Sequence, residues 1–401
     1  MVNKIEVSDF KSLHKFEFEP GRFNVLIGAN ASGKTNILEA IAMGAAAGAN
    51  KLDYEFLGNR LRVTSPEFMK SAFEKPDKKK RIFINFEADK KSYTFSLDSN
   101  GDDTRNWIDK YRLTKTKEID SNLDRFFSGD KSFIDESLNA TDKDSYYLLM
   151  KLIKNNYDDA NNSFQSFRNS LFDKIKEEAF STSEISNFLI YSPEYSFLKK
   201  FEEPAQITPL GLKGEGLFYI LKRIFSDKDN QAQIETIKEH LFLLDWFDDF
   251  KIADNLMSME YKIAVRDKYL NADINTFDQR SANEGFLFLL FYLVLFTSKN
   301  TPAFFAIDNI ETGFNPKLCP EITKVLAQLS KKFNKQVIVT THNPAILDGL
   351  NLIDDEQRLF VVNRNKLGHT HAGRVTHKPN SGMKLSEIWS RGYIGGMPNN
   401  F

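Results

Sequence analysis

A single cysteine, Cys319, occurs in the 401 residues, so no intramolecular disulfide can form and the composition suits a reducing compartment. Charge of one sign is also lacking. Lys and Arg number 54 against 55 Asp and Glu, a net charge of -1, so any contact with nucleic acid needs a local basic patch. The opening stretch MVNKIEVSDFKSL has no apolar core of a secretory leader. The longest apolar run, FLFLLFYLVLF at 286–296, is shorter than the roughly 18 residues a membrane span needs and reads as a buried core helix. No internal repeat or sustained heptad pattern is present, which argues against a long coiled coil. These absences predict a cytoplasmic protein with no membrane partner.

Apolar residues make up 41% of the chain and include 36 Phe, ample for one large core with a second module. KIEVSDF and HKFEFEP alternate with period two, as short half-buried strands do, whereas FNVLI is continuously apolar, as a strand covered on both faces would be. Residues 51–184 differ: polar, Lys/Asp/Asn-rich stretches surround a predicted hairpin, RIFINFEADKKSYTFSLDS, and the helical segments SYYLLMKLIKN and FQSFRNSLFDKIKEEAF. From about 185 apolar density returns. NFLIYSP reads as a strand, PLGLKGEGLFYILKRIF as a glycine turn entering a helix, 284–298 as a helix, 303–308 and 336–341 as strands, and RLFVVNRNKLGHTHAGRVTH as a terminal hairpin. The expected fold is α/β: a core with a mixed sheet made of 1–50 and 185–401, split by an insertion at 51–184 with a small β element and a helical arm.

Residues 21–41, GRFNVLIGANASGKTNILEAI, contain G-x-x-x-x-G-K-T from Gly28 to Thr35 between a predicted strand and a predicted helix. Glycines at 28 and 33 allow a turn whose backbone N–H groups face a phosphate chain, and the helix adds its positive end. The predicted cradle is Gly28, Ala29, Asn30, Ala31, Ser32, Gly33, Lys34, Thr35 and Asn36. Lys34 reaches the outer phosphates of ATP, and the Thr35 hydroxyl ligates Mg²⁺. In TPAFFAIDNIETGFNP, Asp308 ends an apolar strand, where ligands bind in α/β sheets, and is the second expected Mg²⁺ residue. QVIVTTH ends in His342, a candidate sensor of the γ-phosphate or else a structural residue.

GANASGKTN, AIDNIETGFNP and TTHNPAIL, in this order and spacing, resemble the ABC-type ATPase heads of the SMC/RecF/OLD branch. More closely, the chain is similar to the stand-alone ATPases of bacterial anti-phage systems, among them the PARIS-type ATPase subunit, as are the opening IEVSDFKSL and the tail LSEIWSRGYIGGMPNNF. The resemblance spans 1–50 and 185–401. It implies ATP binding and hydrolysis with Mg²⁺, self-association as a homodimer or larger oligomer, and a separate effector protein such as a nuclease or toxin. It also implies a signature loop that reaches a partner's nucleotide. RSANEGFLFLL offers Asn283, Glu284 and Gly285 for that loop, with Asn in place of the family's serine; the other reading is an ordinary helix cap. The family's glutamate after the metal-binding aspartate is here Asn309, and an amide accepts no proton. Either Glu311 is the base, or hydrolysis is slow and the chain acts as a nucleotide-loaded clamp. A RecF-like ATPase that clamps DNA is the alternative function, and a nucleotide-regulated scaffold with negligible turnover a third.

Other motifs carry less. His369, His371 and His377 lack a cysteine or paired carboxylate for zinc and read as surface residues. KPDKKKR could contact phosphate backbones but, with acidic residues beside it, reads as a solvated loop, and PLGLKGEGL has the wrong glycine spacing for a dinucleotide fingerprint. No Ser/His/Asp or Cys/His constellation is visible. The stretch after His342 is committed to a hairpin and a tail, so no fused nuclease is expected.

Overall fold

The computed structural model describes residues 1–116 except 59, 63–64, 74–80, 89–90 and 101–102, residues 183–396 except 201–208, 253–262, 272–275, 279 and 377–381, and scattered positions between 125 and 180. Most of the two helical segments expected in the insertion, most of the Lys-rich 74–81 run and His377 lie outside the described residues.

The described residues form three sheets. The central one has six strands in the order β14-β13-β3-β12-β11-β7. Strands β3 (Phe23–Ile27), β7 (Ile190–Tyr191), β11 (Phe304–Ile307), β12 (Gln336–Thr340) and β13 (Gln357–Arg364) run parallel, and β14 (Thr370–Val375) pairs antiparallel with β13. Every residue of β3, β11 and β12 is buried, which explains why they read as unbroken apolar runs. Leu26, Ile338, Phe304 and Phe360 face one core, whereas Val25, Val337, Phe305 and Leu359 face the other.

The first core lies between the central sheet and a five-stranded antiparallel sheet, order β2-β1-β4-β5-β6. This sheet joins β1 (Val2–Ser8) and β2 (Phe16–Phe18) to β4 (Ile82–Ala88), β5 (Lys91–Asn100) and β6 (Asp103–Thr116). The helix Lys34–Gly48 is buried between the layers. The expected hairpin is β4–β5, closed by Ala88 pairing with Lys91, and a third strand, β6, extends it. Strand β4 pairs along β1, so this part of the 51–184 stretch continues the N-terminal sheet.

The second core packs helices Leu217–Ser226, Gln231–Leu241, Glu284–Thr297 and Cys319–Lys332 against the other face, with a small sheet of β8 (Phe247–Ile252), β9 (Ile263–Asp267) and β10 (Thr276–Phe277). The 286–296 run is buried at every position, as expected of a core helix. No helix among the described residues is long and apolar enough to cross a membrane.

One buried cation pins the entry to the central strands. Lys335, 4% exposed, donates through Nζ to the carbonyls of Ser298, Thr301 and Pro302 and to Thr301 Oγ1. Lys335→Met strands those acceptors without a donor. The expected cost is on the order of 3 kcal/mol, read as a lowered denaturation midpoint at unchanged slope.

Candidate functional site

Strand β3 delivers the chain to Gly28, and the loop closes at Gly33, which caps the following helix with φ 111°. A side chain is excluded at both glycines. A Cβ on Gly28 would meet the Val362 carbonyl at 2.1 Å, and one on Gly33 would meet Thr370 Oγ1 at 2.1 Å. That threonine belongs to the loop's support: its hydroxyl donates to Ser32 O at 2.9 Å and shares a hydrogen bond with Ser12 Oγ, which accepts from Asn36 Nδ2 at 2.7 Å.

Lys34 is 7% exposed and donates to the carbonyls of Gly28 (2.7 Å) and Ala29 (3.2 Å). It makes no ion pair with a described carboxylate. Burial pulls its ammonium below the usual lysine range, while Asp308 and Glu311 act in the opposite direction. A buried ammonium that rests on neutral loop carbonyls has the chemistry to pair with an anion. Ser32 Oγ, also buried, has no hydrogen-bond partner.

The parallel pairing of β11 and β12 matches Ile307 to Val339, so Asp308 and Thr340 leave the sheet side by side. Asp308 Oδ1 accepts from Thr340 Oγ1, and Asp308 Oδ2 accepts from Thr35 Oγ1 at 3.5 Å. The two residues expected to hold Mg²⁺ thus lie together, 273 positions apart in sequence, and their hydroxyl and carboxylate oxygens suit a hard cation. Among the described residues no group of three His, Cys, Asp or Glu is placed to hold a metal, so these two oxygens would share the ion with water and phosphate.

Glu311 is half-buried. Its Oε1 accepts from the His342 backbone N–H at 2.9 Å, and its Oε2 is buried without a partner. One oxygen is anchored and the other is left free. Asn309 has φ 57°, and its N–H donates to Thr340 Oγ1 at 2.9 Å. Asparagine tolerates this left-handed geometry better than most residues. The His342 ring is exposed at the end of β12. Partial desolvation and the Lys34 ammonium hold its imidazole below the usual range, against Glu311 and Asp308.

The 281–285 loop leads into the Glu284–Thr297 helix. Asn283 caps the Glu284–Thr297 helix, its Oδ1 accepting from Phe286 N at 2.9 Å, and Glu284 is exposed. A Cβ on Gly285 would lie 3.3 Å from the Gly313 carbonyl, beside the turn after Asp308. No hydrogen bond or ion pair joins this loop to Gly28–Asn36 among the described residues. The glycine turn of PLGLKGEGL has a bracing role that its spacing did not reveal: Ser192 N and Glu194 N donate to Leu212 O and Lys213 O just beyond β7. His369 precedes β14 and contacts the rings of His14 and Phe73, while His371 is exposed on β14.

Sequence reasoning missed Ser12, Thr340 and Thr370. Each acts through a hydroxyl bonded to a residue remote in the chain, and a lone serine or threonine carries no spacing signal.

The family described as "AAA domain, putative AbiEii toxin, Type IV TA system" matches residues 23–348. Among solved structures, the chain is similar to an SMC head bound to the C-terminal winged-helix domain of ScpA, with TM-score 0.54 and 13% identity over 94% of this chain and 98% of that one. It is also similar to the SMC head domain from Thermotoga maritima (TM-score 0.44, 12% identity, 94% and 99% covered) and to the Pyrococcus furiosus Smc head with bound ScpA domain (0.48, 16%, 94% and 96%). No curated protein matches. The first structure shares the fold, an α/β head with a mixed sheet. With the P-loop and Asp308 at the ends of the two parallel strands that flank β12, and the match covering most of its length, the chain belongs to the AAA-domain family of AbiEii type.

Proposed function

We propose that this chain is a Mg²⁺-dependent ATPase whose nucleotide state controls self-association. The observation that carries this reading is the meeting of Lys34, buried without an anionic partner, with the Thr35–Asp308 pair at one end of the central sheet. In this reading the loop from Gly28 to Asn36 binds the phosphates of ATP. Thr35 and Asp308 would hold Mg²⁺, which when bound neutralises phosphate charge. Glu311, fixed by the His342 N–H, takes a proton from the attacking water through its free oxygen. In this reading the exposed His342 ring, just beyond β12, senses the outer phosphate.

Among the described residues Asn283, Glu284 and Gly285 make no hydrogen bond or ion pair to their own P-loop, which supports a composite site: the loop and helix N-terminus of one subunit meet the γ-phosphate held by another. ATP then favours the closed state, and hydrolysis removes the bridge. In buffer with ATP or a non-hydrolysable analogue, the mass in sedimentation velocity should rise to that of a dimer or larger oligomer. Gly285→Glu places a carboxylate against the incoming phosphate, and it should remain monomeric while still taking up ATP. An unchanged mass with either nucleotide, or assembly of the Gly285→Glu protein, would reject the composite site.

A family described by a toxin and a type IV toxin–antitoxin system, together with the resemblance to anti-phage ATPases, supports regulation of a separate effector, a nuclease or toxin. Copurification of a partner from the native host tests that role. A RecF-like clamp is told apart by DNA-stimulated ATP turnover with a steep salt dependence.

A further inference from the structure

The P-loop helix carries alanine at positions 42, 45, 46 and 49, the i, i+3, i+4, i+7 positions of one face. These short side chains leave a cavity of about 700 Å³ between the second half of the helix, edge strand β7 and the turn at 299–303. Ala49 lies about 20 Å along the helix axis from Lys34, so this cavity is not the phosphate cradle.

Its wall has polar groups that the fold leaves unused. Tyr191 lines it at 1% exposure, and among the described residues its hydroxyl has no hydrogen-bond partner. Ser183 Oγ is buried and likewise without a partner. Arg60 is half-buried, seated 3.5 Å from the Phe56 ring centroid, with Nη1 donating to Phe56 O. It forms no ion pair among the described residues. Asp53, the acid nearest in charge effect, caps its own short helix by accepting from Phe56 N. Lys51 and Lys299 line the same cavity, also without a described ion pair. Glu184 is the acid in the lining, and it faces the N-terminal ammonium at 3.6 Å.

We infer that this cavity is a second ligand site, which takes an organic phosphate: the phosphate on Arg60 and the Tyr191 hydroxyl, the apolar body along the alanine face. A guanidinium fork with two ammonium groups suits a phosphate better than a singly charged carboxylate. A volume of this size suits a mononucleotide-sized body rather than an inorganic ion. The alanine face and Phe56 supply the apolar contact such a body needs.

The test uses the full chain with AMP, phenyl phosphate and inorganic phosphate as probes, followed by calorimetry and thermal shift. AMP or phenyl phosphate should bind and raise the melting temperature. Arg60→Met should weaken that binding at least ten-fold and the isosteric Tyr191→Phe several-fold, both with ATP uptake retained. Lys34→Ala should do the reverse, weakening ATP binding about 100-fold and keeping the probe. The inference is overturned if no probe binds at millimolar concentration or if inorganic phosphate binds as well as the organic probes. It also fails if Tyr191→Phe and Arg60→Met both leave probe binding unchanged. Failure of the P-loop reading alone would appear instead as ATP uptake that survives Lys34→Ala.

Discussion

Lys34→Ala should lower ATP affinity about 100-fold, the ~2.7 kcal/mol expected of a charge-assisted contact in a sheltered site. The apoprotein should melt at nearly the same temperature. The desolvated ammonium is relieved, while the carbonyls of Gly28 and Ala29 lose a donor, and the two effects oppose each other. The difference between the proteins therefore emerges only with ligand. At an ATP concentration 100 times the wild-type Kd, the stabilisation by nucleotide should fall from about 2.7 to about 0.4 kcal/mol. Calorimetry with a parallel thermal melt checks both halves. Retained affinity in Lys34→Ala would remove the basis for reading the loop as a phosphate cradle.

The second large effect concerns Glu311. Glu311→Gln keeps an acceptor for the His342 N–H, so the local fold should persist. The amide that replaces the free Oε2 accepts no proton, and turnover should fall by roughly 10²- to 10⁴-fold, about 3–5.5 kcal/mol of barrier. ATP binding should be unaffected, and the assembled state should outlast that of the wild type. Unchanged turnover would exclude Glu311 as the base and leave the slow clamp as the remaining reading. Moving the carboxylate to the neighbouring position is not equivalent. Asn309 has φ 57°, a left-handed conformation that costs a glutamate roughly 1–2 kcal/mol. The departure from the family's usual glutamate thus coincides with a backbone geometry that asparagine accommodates.

Several parts of the architecture were legible in advance because they depend on local pattern. FNVLI, AFFAI and QVIVT read as covered strands because burial on both faces removes the need for polar alternation, and all three are central strands. The helix after Gly33 and the apolar helix from Glu284 were legible for the same reason. NFLIYSP, by contrast, forms only the two-residue β7, because its backbone meets a partner only at Ala306 and Ile307. Strand β6 was not anticipated: DTRNWIDKYRLTKT has no clean alternation, and its pairing with β5 shifts register within it.

At the candidate site the division is similar. Residue order alone determined the Gly28–Thr35 turn between strand and helix, its glycines, and the carboxylate and imidazole at the ends of two further buried strands, because these depend on spacing along one strand–turn–helix or at one strand end. Only the tertiary structure decided that Thr340 clasps Asp308, that Ser12 and Thr370 brace the loop, and that Glu311 keeps one anchored and one free oxygen. It also decided that the alanine face of the P-loop helix opens onto a cavity with Arg60 and Tyr191. These features arise where strands far apart in the chain are laid side by side, and hydrogen bonding between such remote groups leaves no periodicity in the sequence from which it could be read.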